Sequence, residues 1–199
     1  MTHVIEPLFP TLVYGADCIS NFEKIQSEIK ENLRGEKFRY SDYWGETHLL
    51  SDPTFESNPI VDSLPLFKEE LDQHIKRYCH NIGFYSEYHI SSSWFTKCKK
   101  GDYAHIHSHG TNCISGVYYY KTNGKDGDLF FESPINGIDT NFVFLHLSEQ
   151  MIHTPAECKF VLFPSFLRHG VRKNITNNVR ISLSFNLQFN EKNLLTPSK

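Results

Sequence analysis

The sequence predicts a mainly β protein with two helices near its N-terminus. Apolar residues recur at helical spacing only in the first 84 residues, and short apolar runs separated by turn signals follow from about Tyr85. Aromatic residues, which suit the pleated surface of a sheet, reach 14% of the composition. Many short, regularly spaced strands are typical of a sandwich or barrel. We therefore expect two scaffold helices that lead into a jelly-roll-like β domain.

The first predicted helix begins near Ser20 and ends at Gly35. Ser20 and Glu23 have the spacing of a capping box, in which two side chains bind the free backbone N–H groups of a helix start. Glycine commonly ends a helix. The apolar residues that follow at helical spacing are Phe22, Ile25, Ile29 and Leu33.

The second predicted helix runs from about Ser63 to His80, and Gly83 follows it. One stripe at helical spacing contains Leu64, Phe67, Leu71, Ile75 and Cys79. Between the two helices the chain is polar, aromatic and interrupted by Gly and Pro, which predicts a loop with one strand.

The second half of the chain predicts six strands, with turns at residues 122–127 and 174–178. The strands are Tyr88–Cys98, Cys113–Lys121, Gly127–Pro134, Asn141–Leu147, Cys158–Pro164 and Asn178–Phe189. We expect one domain over residues 1–199, with a helical and loop scaffold at 1–84 and a β core at 85–190.

Composition excludes several classes of function. The net charge of −3 does not indicate a nucleic-acid surface, and no run approaches the roughly 20 apolar residues that span a bilayer. The N-terminus shows no secretory signal. Five scattered cysteines without a CxxC pair favour free thiols. We therefore expect a cytoplasmic protein that binds neither nucleic acid nor membrane.

The stretch AHIHSHG places His105, His107 and His109 at alternate positions, with no carboxylate among them. Neutral imidazole is a common ligand for first-row transition metals, and alternate residues of a strand share one face. A fourth histidine, His169, follows 60 residues after His109. Two alternate histidines and one distant histidine predict a metal site that stays open on one side.

Spacing limits which of these histidines can bind the same ion. Residues i and i+2 lie about 6.6 Å apart along a strand, whereas an imidazole nitrogen must approach the metal to about 2.1 Å. His105 and His109 lie about 13 Å apart by the same rise, so they cannot share an ion. The pair is either His105 with His107 or His107 with His109, and the spacing leaves both open.

Three blocks of sequence resemble one family when they are taken together. They are HSHGTNCISGVYYY at His107–Tyr120, FPSFLRHGV at Phe163–Val171 and RISLSFN at Arg180–Asn186. In this order they resemble a bacterial and phage family of iron(II)- and 2-oxoglutarate-dependent oxygenases, whose pattern reads HxH, SGVYYL, FPSxxxH and RISxSFN. The resemblance covers about Trp94 to Phe189, half of the chain.

This resemblance implies a double-stranded β-helix core (jelly-roll or cupin-like) with Fe(II) at one mouth of the barrel. It implies three metal ligands, His107, His109 and His169, and leaves His105 outside the motif. It also implies that 2-oxoglutarate, the cosubstrate, is held by Arg180, Ser182 and Tyr119. In this arrangement the guanidinium holds the distal carboxylate and the tyrosine donates a phenol hydrogen bond.

The physical properties of these residues agree with that assignment. Arg180 has a rigid fork of donors that matches a carboxylate, and it shares strand parity with Ser182. By the same parity Tyr119 faces inward and the neighbouring tyrosines face away. We expect the turn at 174–178 to close a hairpin that places His169 nearly opposite Ser182. Asp102, Glu132, Trp94 and Asn186 are expected near the site without an assigned role.

The sequence departs from the usual pattern at one ligand. Most such oxygenases bind iron through two histidines and one carboxylate, and His109 stands at the carboxylate position. Three neutral imidazoles leave the iron more positive, which a bound 2-oxoglutarate dianion would offset. An acid from elsewhere in the chain is the open alternative to His109 as third ligand.

The expected activity is oxidation of a protein side chain or a small molecule, most often hydroxylation, with succinate and CO2 as coproducts. Two alternatives stay open. One is a three-histidine dioxygenase of the cupin type that uses no 2-oxoglutarate, and the other is a non-catalytic metal-binding jelly-roll module. Residues 38–48 and 135–154 are expected to cover the barrel mouth. The sequence does not indicate the substrate or the oligomeric state.

Overall fold

Two α-helices, one short 3-10 helix at Ile60–Ser63 and eleven strands form the part of the chain that the structure describes. The structure is a computed structural model, and it describes residues 10–18, 21–42, 45–51, 59–84, 86–135 and 150–190. The strands form a seven-stranded and a four-stranded antiparallel sheet. This is the predicted mainly β fold with N-terminal helices and a double-stranded β-helix core.

The helices lie where the periodicity predicts them, with differences at their ends. Helix α1 is Phe22–Leu33 and helix α2 is Pro65–Asn81. Ser20 lies outside the described residues, and Asn21 is the N-cap of α1 without a side-chain hydrogen bond. Phe22 was expected on the apolar stripe but is 40% exposed, because it stands in the first turn.

Helix α2 covers one face of the large sheet. Its predicted stripe is fully buried, and Phe67 at its centre contacts the rings of three sheet residues. These are Tyr118, Phe160 and Phe185, at centroid distances of 5.2, 5.4 and 6.3 Å. The stripe and this sheet face form the main hydrophobic core of the described residues.

The large sheet has the strand order β1-β9-β6-β11-β4-β3-β2. Its central strands present alternate residues to the helices and to the opposite side, as a pleated strand requires. The strands, in chain order, are β1 Tyr14–Asp17, β2 Phe38–Ser41, β3 Gly45–Ser51, β4 Tyr88–Cys98, β6 Ile114–Lys121, β9 Lys159–Pro164 and β11 Arg180–Phe189.

The small sheet has the order β5-β10-β7-β8 and carries two of the predicted metal ligands. His169 on β10 lies opposite His107 on β5 and opposite Phe131 on β7. The strands are β5 Ala104–His107, β7 Leu129–Phe131, β8 Met151–His153 and β10 His169–Val171.

One predicted strand pairing is wrong. The turn at 174–178 was expected to pair the strand of His169 with that of Arg180, but β10 and β11 belong to different sheets. Ser182 lies opposite Tyr119 and Thr96, and not opposite His169. The face of each residue was predicted correctly, because alternation is local to a strand, whereas strand partners depend on the rest of the chain.

The region before the β core also contributes strands. Residues 38–48, expected to form a covering loop, contain β2 and part of β3, which extend the large sheet beyond β4. The predicted strand at 141–147 and most of the expected cover at 135–154 lie outside the described residues. The five cysteines are free thiols. None of the helices described here is long and apolar enough to cross a membrane.

Candidate metal centre and cavity

Three histidine rings converge between the two sheets. One ligand nitrogen from each of His107, His109 and His169 lies within 4.8 Å of the others. The ring centroids are 4.3 Å apart for His107 and His169, 5.0 Å for His107 and His109, and 5.2 Å for His109 and His169. Of the two pairs that spacing left open, the structure brings together His107 and His109.

His105 is excluded from the cluster by an irregularity in β5. His169 and Val171 are two residues apart on β10, but their partners on β5, His107 and Ala104, are three residues apart. Such a bulge breaks the alternation of faces, so Ala104 and His107 both line the cavity. His105 is exposed, with its Nε2 3.4 Å from the Tyr103 hydroxyl.

Two of the three rings are oriented by backbone carbonyls. His107 Nδ1 donates to the carbonyl of His105 at 2.7 Å, and His169 Nδ1 donates to that of Leu167 at 2.9 Å. A carbonyl only accepts, so Nδ1 carries the proton and Nε2 keeps its lone pair. A hydrogen bond from the ring nitrogen that does not bind the metal is the usual way in which a protein fixes the tautomer of a ligating histidine.

His109 is held differently, because it lies beyond the end of β5. Its backbone N–H donates to the carbonyl of Ser165 at 2.9 Å. Its ring packs near the indole of Trp94, with centroids 5.8 Å apart. No described residue makes a hydrogen bond to its ring nitrogens. The side chain therefore depends on its backbone and on packing for its position.

Burial keeps all three rings neutral at physiological pH. Desolvation lowers the pKa of His109 to about 4 and that of His169 to about 3, and it also lowers the pKa of His107. Neighbouring imidazoles add to the effect, since two protonated rings repel each other. Neutral imidazole is the form that binds a metal ion.

The three histidines open into a cavity of about 1040 Å³ between the sheets. Arg180, Ser182 and Tyr119 line the same cavity, on the strands β11 and β6 of the large sheet. All three side chains are at most 3% exposed. The structure therefore brings together all six residues that the resemblance implied. Trp94 and Asn186 also line the cavity, whereas Asp102 and Glu132 do not.

Arg180 is buried without a charged partner among the described residues. Its Nη1 donates to the carbonyl of Gly127 at 2.5 Å, and its Nη2 lies 3.1 Å from Cys98 Sγ. Its Nε has no hydrogen-bond partner, and no described carboxylate forms an ion pair with the guanidinium. A buried cation without a partner is costly, so this group is suited to an anionic ligand.

Gly127 is a contributor that the sequence motifs did not indicate. Its φ of 108° lies in the region that favours glycine, and a Cβ there would stand 2.4 Å from the Arg172 carbonyl and 3.3 Å from Arg180 Nη1. The predicted turn at 122–127 signalled the glycine but not its contact with the arginine.

Tyr119 lies directly opposite Ser182 in the pairing of β6 with β11. Burial raises the pKa of the Tyr119 phenol to about 12, so the hydroxyl stays protonated and can donate. Its neighbours Tyr118 and Tyr120 face the helices, as strand parity predicts.

The fold and the site define a double-stranded β-helix protein with a three-histidine centre and a buried arginine. Residues 92–186 match the model of a family described as "Putative 2OG-Fe(II) oxygenase". The match begins within β4, ends within β11 and contains all six candidate residues. The resemblance drawn from the three sequence blocks is thereby confirmed. No curated protein matches the chain by sequence.

Solved structures share this fold at low sequence identity. A prolyl-4-hydroxylase from Pseudomonas putida matches with a TM-score of 0.63 and 12% identity, over 90% of this chain and 94% of that one. HygX from Streptomyces hygroscopicus, with nickel and 2-oxoglutarate bound, gives a TM-score of 0.62 and 11% identity, over 89% and 83%. The alpha-ketoglutarate-dependent carbocyclase SnoK from nogalamycin biosynthesis gives 0.64 and 8%, over 89% and 79%.

Proposed function

We propose that this protein is an Fe(II)- and 2-oxoglutarate-dependent oxygenase. The observation that carries the proposal is the shared cavity, in which three neutral imidazoles converge and Arg180 lines the wall without an ion pair to any described carboxylate. The first feature is suited to a transition-metal ion and the second to a carboxylate. A ligand that bridges the two must carry both a metal-chelating group and a distal carboxylate, as 2-oxoglutarate does.

The donor set fits an iron(II) ion that keeps open positions. His107, His109 and His169 would hold the ion through one nitrogen each, and three protein ligands leave room for further ligands. No carboxylate of a described residue belongs to the cluster. The protein ligands therefore do not neutralise the ion, and an anionic cosubstrate would do so instead.

The residues of the large sheet fit the keto acid. Arg180 would bind its distal carboxylate, with the Ser182 hydroxyl beside it and the Tyr119 phenol as a further donor. When bound, iron and 2-oxoglutarate supply oxygen activation with succinate and CO2 as coproducts. This chain's own residues hold the two partners in one orientation and shield them from water.

Charge on the cavity wall favours a substrate that enters as an uncharged group. Arg180 is the only Asp, Glu, Lys or Arg among the described residues that line the cavity. The remaining polar wall consists of hydroxyl, amide, thiol and imidazole groups, and an unpaired charge in such a wall is costly. A neutral small molecule or an uncharged protein side chain fits these surroundings, and hydroxylation is the expected outcome.

A second candidate follows from the missing carboxylate. Three-histidine iron sites occur in cupin-type dioxygenases that use no 2-oxoglutarate, and the histidine cluster alone fits such an enzyme equally well. The Arg180 guanidinium, which lines the cavity without an ion pair to a described carboxylate, favours the keto acid. Formation of succinate that depends on 2-oxoglutarate would separate the two enzymes.

Anaerobic titration of the apoprotein with Fe(II) and 2-oxoglutarate tests the proposal. We expect a weak visible charge-transfer band, because the keto acid chelates the metal, and we expect the His169→Ala variant to lack it. Arg180→Ala should weaken 2-oxoglutarate binding by roughly 10-fold to 150-fold, since a hydrogen bond to a charged group contributes about 1.5–3 kcal/mol. Its Fe(II) affinity should stay within about threefold of wild type, as a site away from the ligands changes binding little.

The outcomes of this titration are distinct. Absence of the band in the wild-type protein would contradict the 2-oxoglutarate-dependent oxygenase and leave the dioxygenase without 2-oxoglutarate and the metal-binding module. Equal losses of iron and keto-acid binding in Arg180→Ala would contradict the assigned role of that residue. The matched control is Arg168→Ala, because Arg168 is exposed and pairs with Glu132 outside the cavity lining.

A further inference from the structure

The three histidines do not have equal support, and the difference points to residues beyond the motifs. His107 and His169 each have a ring nitrogen bound to a carbonyl, whereas the ring of His109 has no hydrogen bond to a described residue. His109 lies in the loop between β5 and β6. The backbone of this loop must therefore be fixed by other contacts if the ring is to meet the metal.

The carbonyl of Ser165 is the contact that fixes this backbone. It accepts the N–H of His109 at 2.9 Å, while the N–H of Ser165 donates to the carbonyl of Cys113 at 3.1 Å. Ser165 therefore binds the loop near both of its ends. Its own side chain is fully buried.

A series of buried hydrogen bonds leads from Ser165, just after β9, across β6 and β11 to β4. The Ser165 and Ser115 hydroxyls are 2.8 Å apart, and Ser115 donates to Asn186 Oδ1 at 2.7 Å. Asn186 Nδ2 then donates to the Ser92 hydroxyl at 3.0 Å. Because the Ser115 proton is directed to Asn186, Ser165 must donate to Ser115. The series thus has one direction, and the amide of Asn186 has one orientation.

An irregularity in β4 adds a second support for the same loop. Asn186 lies opposite Ser92 but Leu187 lies opposite Ile90, so Ser91 is an extra residue in the ladder. This bulge lets the adjacent residues Ser91 and Ser92 both line the cavity. Ser91 donates to Asn112 Oδ1 at 2.6 Å.

Asn112 carries that second support to the histidine. Its backbone N–H donates to the carbonyl of His109 at 2.8 Å, and its Nδ2 lies 3.4 Å from the same oxygen. The backbone of His109 is therefore held at its N–H through Ser165 and at its carbonyl through Asn112. Both paths end on the neighbouring serines of the β4 bulge.

We propose that Asn186 is a positioning residue that holds His109 in place for metal binding, through Ser115 and Ser165. The proposal rests on the proposed metal site. Asn186 lies between Ser115 and Ser92 in this series of hydrogen bonds and is 4% exposed. Its amide accepts from the Ser115 hydroxyl and donates to the Ser92 hydroxyl. Outer partners of this kind typically change metal affinity by about 10-fold to 100-fold.

Cobalt(II) titration of the apoprotein tests this without any turnover, because the visible d–d bands of Co(II) report ligand number and geometry. Asn186→Leu and Ser115→Ala should each lower Co(II) affinity by roughly 10-fold or more and change the band pattern in the direction that His109→Ala does. Asn186→Asp keeps the acceptor for Ser115 and should retain more of the affinity than Asn186→Leu.

The control for a merely structural loss is Ser93→Ala. Ser93 is fully buried on the same strand as Ser92, but its hydroxyl accepts from the backbone of Val61, on the helix side of the sheet. Its removal should lower the melting temperature comparably and leave Co(II) affinity and spectrum unchanged.

Co(II) binding by three variants separates loss of the positioning role from loss of the proposed metal site. If Ser115→Ala binds Co(II) with wild-type affinity and spectrum while His109→Ala does not, the positioning role is overturned. If Ser93→Ala weakens Co(II) as strongly as Ser115→Ala does, the effect is general destabilisation and the role is likewise overturned. If the wild-type protein does not bind Co(II), or if His109→Ala binds it with wild-type affinity and spectrum, the proposed ligand set fails instead.

Discussion

The two halves of the candidate metal centre are built in different ways. His107 and His169 face each other across paired strands, and each ring is bound to a carbonyl two residues away along its own chain. His109 lies in a loop, and its backbone is positioned by hydrogen bonds to Ser165 and to Asn112. Strand geometry and local hydrogen bonds are sufficient for the first two ligands. The third depends on side chains that are distant in sequence.

This comparison predicts that the strand-held pair is the less replaceable half. His169→Ala is expected to abolish Fe(II) and Co(II) binding at micromolar metal, because it removes one of only two rings whose tautomer is fixed. Metal-binding isotherms measured with the folded apoprotein check this. Binding close to wild type would show that the metal lies elsewhere.

The loop-held ligand should tolerate replacement by a carboxylate. His109→Ala is expected to lower Fe(II) affinity by roughly 100-fold or more, because loss of a direct ligand costs at least as much as loss of an outer partner, which costs about 10-fold to 100-fold. His109→Asp restores the usual two-histidine and one-carboxylate set and should recover part of that loss. Fe(II) affinities of the two variants, compared in one titration series, give the answer. Equal affinities of the two variants would show that the Asp carboxylate does not reach the metal, and wild-type affinity in His109→Ala would contradict His109 as a ligand.

The smallest effect is expected at the histidine that the β5 bulge turns outward. His105→Ala should leave metal affinity within about twofold of wild type, since a surface substitution away from a site changes little. His105 contacts the His107 ring through its backbone carbonyl, and the substitution keeps that carbonyl. A large loss of Fe(II) binding in this variant would contradict the assignment of the pair to His107 and His109.

Much of the fold followed from local patterns. The stripe centred on Phe67 predicted the buried face of α2, and strand parity predicted that Arg180, Ser182 and Tyr119 share one face. These predictions succeed because the period of a helix and the alternation of a strand are properties of short segments. The division into a scaffold at 1–84 and a core at 85–190 stays a prediction, although the first part also contributes strands to the large sheet.

The partners of these segments were less predictable. The pairing of β10 with β11 was wrong, and residues 38–48, expected as a cover of the barrel mouth, contribute to two strands of the large sheet. An amphipathic strand satisfies its pattern beside any strand that buries the same face. The choice between neighbours therefore depends on all strands together.

The sequence by itself determined the chemistry of this protein: its alternate histidines, the distant His169, and an arginine on the inward face of a strand. The tertiary structure decided which of those groups meet. The bulge in β5 separates His105 from His107, and the bulge in β4 lets two adjacent serines both line the cavity. A bulge is a mismatch between two paired strands. Neither strand contains it alone, so no reading of one segment could have located it.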